Sequence, residues 1–320
     1  MGHDRHHVHP ERNRRVKIAV VGDVHNQWEA DDALALHNLG VDLVLFVGDF
    51  GNEAVEVVAE IANLDLPYAA ILGNHDAWYS ATDWGLKRSP YNREEEDWVQ
   101  QQLDLLGDRH VGYTYLDFPA LNLTVVGGRP FSWGGSTWKC PDFYQKRFGV
   151  KSFAESTEKI VAAALASKYS NVIFIGHNGP LGLGSEPESP CGKDWEPIGE
   201  DFGDPDLAEA IEKTMMAGKK VPLVTFGHMH HQLRQSSAML RDDTRPIERT
   251  ALVNGATGTI YLNAASVPRI IKMDGSRLHN FSLVELEAGI VTAASLIWVD
   301  RQGKIAHQRQ LYQSALSISQ

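Results

Sequence analysis

Five runs of the chain are predominantly apolar and reach a glycine flanked by polar residues. They read VKIAVVG (16–22), VDLVLFVGD (41–49), LPYAAILGN (66–74), NVIFIGHNG (171–179) and VPLVTFGHMH (221–230). Apolar runs of this length, rich in β-branched residues and without polar alternation, are strands buried on both faces. Between the first three lie segments with helical spacing at 27–39 and 53–64. The alternation predicts a βαβαβ unit with a parallel sheet, and hence an α/β fold. In open α/β sheets, ligands bind outside the carboxyl ends of the strands. The polar residues that follow each glycine should therefore share one edge.

The second half continues with different connections. Helices are predicted at 94–106, 152–169 and 206–216, and strands at 114–118 and 121–127 around Pro119. After 259 the texture changes. Segments 259–265, 281–287, 290–300 and 304–311 read as strands without intervening helices, and are expected to form a second sheet packed on the first. Two long connections, 129–149 and 178–205, lack regular periodicity, as functional or mobile loops of a compact domain usually do. Neither repeats nor a linker interrupt 16–320, which reads as one domain. Before it, 1–15 is polar and holds His3, His6, His7 and His9. It has no apolar core of a secretory signal and reads as a disordered extension, or else a weak metal-binding tract.

Composition removes several classes. At 43% hydrophobic and 9% aromatic residues the chain can build a core. No stretch of about 18 uncharged apolar residues occurs, so no membrane span is expected. A formal charge of −11 argues against a nucleic-acid partner. Cys140 and Cys191 are too few for a disulfide framework, which points to a cytoplasmic protein or one of the plastid stroma. One cysteine lies in each long connection. They form a redox pair only if those loops meet, and two unrelated thiols is the simpler reading.

The strand ends carry Asp23-Val24-His25, Gly48-Asp49, Gly73-Asn74-His75-Asp76, Gly176-His177 and Gly227-His228-Met229-His230. These carboxylates, imidazoles and amides suit divalent Mn, Fe or Zn, and no thiolate is among them. In D-x-H and H-x-H, residues i and i+2 point the same way, so one turn delivers two ligands. A single Asp between two such groups can bridge two ions. Each piece alone is weak, but five in order, each behind a buried strand, form a specific signal.

This set resembles the calcineurin-like metallophosphoesterase superfamily, whose pattern is D-x-H, G-D, G-N-H-[DE], H and G-H-x-H. The resemblance runs from Asp23 to His230. It implies a four-layer αββα sandwich, two mixed sheets flanked by helices, with the metal site at the carboxyl ends of the strands. It implies two divalent ions, manganese first, with Fe, Zn or Mg as alternatives. Asp23, His25 and His230 would hold one ion, Asn74, His177 and His228 the other, and Asp49 both. A hydroxide shared by the ions would attack phosphorus, with His75 facing the leaving group. Asp76 would orient His75, or else cap the next helix. G-N-H-D in place of G-N-H-E, with no arginine soon after, leans toward phosphodiesterases and bacterial phosphoesterases. The run GHNGPLGLGS (176–185) resembles a group found in cyanobacteria and plant plastids.

Substrate contacts are less legible. Arg129 and Asn74 are the candidates for holding phosphate. Trp133, Trp138, Phe143 and Tyr144 can stack a nucleobase or anchor their loop. Eight acids between 186 and 206 would repel a polyanion. The expected substrate is a small phosphomonoester or phosphodiester. A protein serine/threonine phosphatase with a protein substrate, and a metal-stabilised scaffold without turnover, are the alternatives.

Overall fold

The computed structural model describes residues 15–234 and 248–315. The extension expected at 1–15 lies outside them apart from Arg15. In chain order the strands are β1 (Val16–Val21), β2 (Leu43–Phe46), β3 (Tyr68–Ala70), β4 (Tyr115–Phe118), β5 (Leu123–Gly127), β6 (Asn171–Ile175) and β7 (Lys220–Phe226), followed by β8 (Leu252–Asn254), β9 (Ile260–Asn263), β10 (Ile270–Met273), β11 (Ser276–Glu287), β12 (Ile290–Val299) and β13 (Ile305–Gln313). The helices are α1 (Ala30–Leu39), α2 (Val55–Ala62), α3 (Asp83–Leu86), α4 (Trp98–Leu106), α5 (Pro141–Phe148), α6 (Phe153–Ala166) and α7 (Pro205–Met216).

The strands form two mixed sheets. One runs β13-β12-β11-β1-β2-β3, with β10 paired to β11, and the other runs β4-β5-β6-β7-β9-β8. The C-terminal strands are thus divided between the sheets rather than making one of their own. β9 lies parallel to β7, whereas β11 lies antiparallel to β1 with Ile18 opposite Val284. An apolar pattern says that a strand is buried; it does not say which free edge it will join.

Buried apolar side chains sort into three clusters, one for each interface of four layers. Alternate residues of β1 show why both faces had to be apolar. Ala19 and Val21 pack under α1 and α2, while Ile18 and Val20 meet Val125, Ile173 and Leu223 of the other sheet. Phe174 and Val224 carry the outer face of that sheet against Ile160, Leu207 and Ile211 of α6 and α7. Among the described residues, no helix is long and apolar enough to cross a membrane.

A buried ion pair joins the C-terminal strands to the first helix. Arg269 donates to Asp32 Oδ1 at 3.0 Å and to the carbonyls of Gln27 and Asn280. His279 Nδ1 lies 3.1 Å from the same Asp32 oxygen. Burial pushes the Asp32 carboxyl up, but Arg269 and His279 outweigh it and hold it below its usual 3.8. A depressed carboxylate stabilises the fold above its unfolded pKa and loses that contribution as pH falls. Asp32→Asn should therefore cost stability at pH 7 and narrow its gap to wild type below pH 3.8. Denaturant melts across that range check this, and a gap that stays constant contradicts it.

Candidate metal centre

β1, β2 and β3 of one sheet, and β6 and β7 of the other, end side by side, and their next residues converge. Gly48 and Gly73 are what allow it. A Cβ on Gly48, at φ +95°, would sit 2.6 Å from Gly73 N, and one on Gly73 would sit 2.4 Å from Asp49 Oδ1. Contacts that short exclude any side chain, so the two turns pass backbone to backbone. Asp23, His25, Asp49 and His228 are held at φ between 45° and 67°. Left-handed backbone at a non-glycine residue costs about 1–3 kcal/mol and persists where the surroundings impose it.

Two groups of donor atoms result, with Asp49 between them. In the first, His230 Nε2 lies 3.0 Å from Asp23 Oδ2 and 3.2 Å from His25 Nε2. In the second, His177 Nε2 lies 2.9 Å from Asn74 Oδ1, 3.2 Å from His228 Nδ1 and 3.3 Å from Asp49 Oδ1. The other Asp49 oxygen, Oδ2, is 4.0 Å from both His25 Nε2 and His75 Nε2. All seven residues expected as ligands are therefore brought together.

The donor set fits cations. His177 Nδ1 donates to the Val47 carbonyl at 2.8 Å, which leaves Nε2 as the atom that takes either a proton or a metal ion. Nε2 faces an amide oxygen and a carboxylate oxygen. A proton can satisfy one such contact at a time, whereas a divalent ion satisfies all of them. Without an ion, a proton stands in that position. Burial favours neutral Asp49, but His177, His75 and His25 hold its carboxyl far below the usual range. Burial lowers His177 in turn, and Asp49 and Asp23 overcome this and lift it to about 9. Burial and His177 push His228 down to about 3.

Two expected roles are corrected. Asp76 does not orient His75. Its carboxylate accepts backbone N–H from Gly73 at 2.7 Å, Phe50 at 2.8 Å and Asp49 at 3.0 Å, tying the β2 and β3 turns together. The partner of His75 Nδ1 is Asn52 Oδ1, at 2.6 Å. Asn52 lies three residues past Asp49, and its place on the same turn was the available signal. Arg129 does not face the donor atoms. It is buried in ion pairs with Asp204 at 2.7 Å and Asp206 at 2.9 Å. Trp138, Tyr144 and Phe153 surround its guanidinium.

The long connections are more ordered than their sequences suggest. The first contains α5, whose Pro141 start and Gly149 end are ordinary helix signals that the surrounding aromatics obscure. The second is held down by Arg249, which donates to the carbonyls of Pro187, Ser189 and Gly192 and, through Nε, to that of His230. Arg249 thus fixes His230 and the acidic segment together. Cys140 and Cys191 are both free, and they pack in different hydrophobic clusters. Burial pushes both thiols up.

The family model for the calcineurin-like phosphoesterases matches residues 16–232. The chain belongs to that family. It is a metal-dependent phosphoesterase, and calcineurin-like phosphoesterases work with a pair of divalent ions. No curated protein matches the sequence. Among solved structures, this phosphoesterase is similar to a protein from Thermus thermophilus at 13% identity, over 93% of this chain and 100% of that one, with a TM-score of 0.47. It is also similar to a dimetal phosphatase from Danio rerio, at 14% identity over 93% and 99% with a TM-score of 0.44. A third likeness is to purple acid phosphatase PPD1 from yellow lupin seeds, at 15% identity over 97% and 56% with a TM-score of 0.43.

The geometry gives Asn52 a positioning role in this phosphoesterase. Asn52→Ala frees the His75 ring and should lower kcat about 10- to 100-fold, the usual loss for a supporting hydrogen bond. KM should change little, and Asn52→Asp should restore most of the rate. Steady-state kinetics on the three proteins check this, and a KM effect without a kcat effect contradicts it.

Proposed function

We propose that this phosphoesterase hydrolyses a small phosphomonoester or phosphodiester of a metabolite or nucleotide. Asp23, His25 and His230 would hold one divalent ion, Asn74, His177 and His228 the second, and Asp49 lies between the two groups. Two ions bound there would neutralise phosphoryl charge and lower the pKa of the attacking water. The chain supplies the rest. Asp76 keeps the β2 and β3 turns in register, so the Asp49 and Asn74 oxygens arrive together. Asn52 fixes His75 Nδ1, which leaves Nε2 directed to the donor cluster. In its protonated form His75 gives the Nε2 proton to the leaving oxygen. One observation carries this reading: Asp49 lies between the two donor groups, with Oδ1 3.3 Å from His177 Nε2 and Oδ2 4.0 Å from His25 Nε2.

Nitrogen and oxygen donors without thiolate suit manganese, iron and zinc, with magnesium as a further competitor. The test is hydrolysis of p-nitrophenyl phosphate and bis-p-nitrophenyl phosphate by metal-depleted protein, with each ion added in turn. Turnover restored by manganese supports the reading. No turnover with any ion sinks it, and a faster rate on phosphopeptides than on small esters would make it a protein phosphatase.

A further inference from the structure

His75 has an aromatic neighbour on one face. Its ring stacks on Trp78 with centroids 4.3 Å apart and planes 12° apart. Trp78 in turn stacks on Trp133, at 5.6 Å and 23°, and meets Trp84 edge-on at 5.6 Å and 79°. Trp84 stands out from the one-turn helix α3 at 50% exposure, with the Arg88 guanidinium 4.2 Å above its ring. Three indoles therefore lead from the imidazole to solvent. They are distinct from Trp138 and Tyr144, whose rings enclose Arg129 and only anchor their loop.

We propose that Trp78, Trp133 and Trp84 form a leaving-group subsite that selects esters whose departing alcohol carries a flat heteroaromatic ring, as a nucleoside does. This rests on the role of His75 proposed above. If His75 protonates the leaving oxygen, whatever that oxygen carries must pass beside His75. There it meets indole surface. Trp84, half exposed at the outer end of this stack, leaves indole surface open to solvent, and aromatic side chains stack bases of any sequence. Arg88 adds a cation at the outer end, where it reinforces ring stacking. In the reaction, the oxygen of a hydroxide bonds to phosphorus, the bond from phosphorus to the ribose oxygen breaks, and that oxygen takes the His75 proton.

The experiment compares adenosine 5′-phosphate with ribose 5-phosphate, and their methyl diesters, on manganese-loaded protein. The 5′-alcohol leaves from both monoesters, and for the diesters only release of that alcohol, not of methanol, is scored, so the ratio of kcat/KM values reads the base alone. Stacking on one aromatic side chain predicts a ratio of about 10 or more for wild type. Trp84→Ala and Trp133→Leu should each bring it toward one. The ratio cancels any loss of folded enzyme. A wild-type ratio near one, a ratio that neither variant changes, or turnover of p-nitrophenyl esters with no turnover of either ribose ester overturns the subsite. Failure on every phosphate ester would instead overturn the reading of the centre itself, and the subsite with it.

Discussion

Asp49→Asn is expected to lower kcat by about 10³-fold or more, because several kcal/mol of charge stabilisation pass through this one carboxylate. The asparagine has nearly the same shape. It keeps an oxygen for the His75 backbone N–H, which Asp49 Oδ1 accepts at 2.9 Å. What it loses is the negative charge and the second oxygen, and Asp49 is the residue that presents Oδ1 to His177 and Oδ2 to His25. Bound metal should fall in step with rate. Metal analysis beside kcat provides one check. Thermal unfolding with excess manganese provides another, since an ion that binds only the folded state raises the melting temperature. Wild type should gain stability and the variant much less. A variant that keeps both its metal and more than a tenth of its rate would contradict the bridging role.

The donor set was legible because it obeys short-range rules. A buried strand must end, a glycine lets two turns pass closely, and D-x-H or H-x-H places alternate side chains on one side. Each of these features is local in the chain. Sheet membership was not legible, because β11 pairs with β1 across most of the chain, and an apolar face is equally content on either sheet. The role expected of Asp76 falls to Asn52 for a related reason. Both are short polar residues beside His75, and only the three-dimensional path of the turn decides which carboxylate or amide reaches the ring and which is consumed by backbone N–H groups.

The aromatic loop shows a second limit. Trp133 and Trp138 are five residues apart and have the same chemistry, yet one stacks toward His75 through Trp78 and the other encloses a guanidinium. Sequence could say that the loop was anchored or that it stacked a base. The structure places Trp138 against Arg129 and Trp133 against Trp78, so the two tryptophans of one loop pack on different partners.

The place of Arg129 after β5 suggests a phosphate ligand, and its replacement separates that reading from the one the fold supports. Arg129→Met is expected to destabilise the protein by about 3–5 kcal/mol, the cost of leaving a buried charge without its partner. The carboxylates left behind are both buried, and Asp206 also accepts from Ser156. Burial already lifts Asp204 to about 6 even with Arg129 beside it. Without the guanidinium, one acid must take up a proton or the site must open. At about 2–4 °C per kcal/mol for a chain of this order of size, the melting temperature should drop by roughly 10 °C. The triple variant Arg129→Met, Asp204→Asn, Asp206→Asn should recover part of that loss, because it removes both unpaired charges. Activity distinguishes the two roles. A phosphate ligand would raise KM at a temperature where the variant is folded, whereas a structural ion pair should leave KM near wild type. A large KM increase with little change in melting temperature would return Arg129 to the substrate.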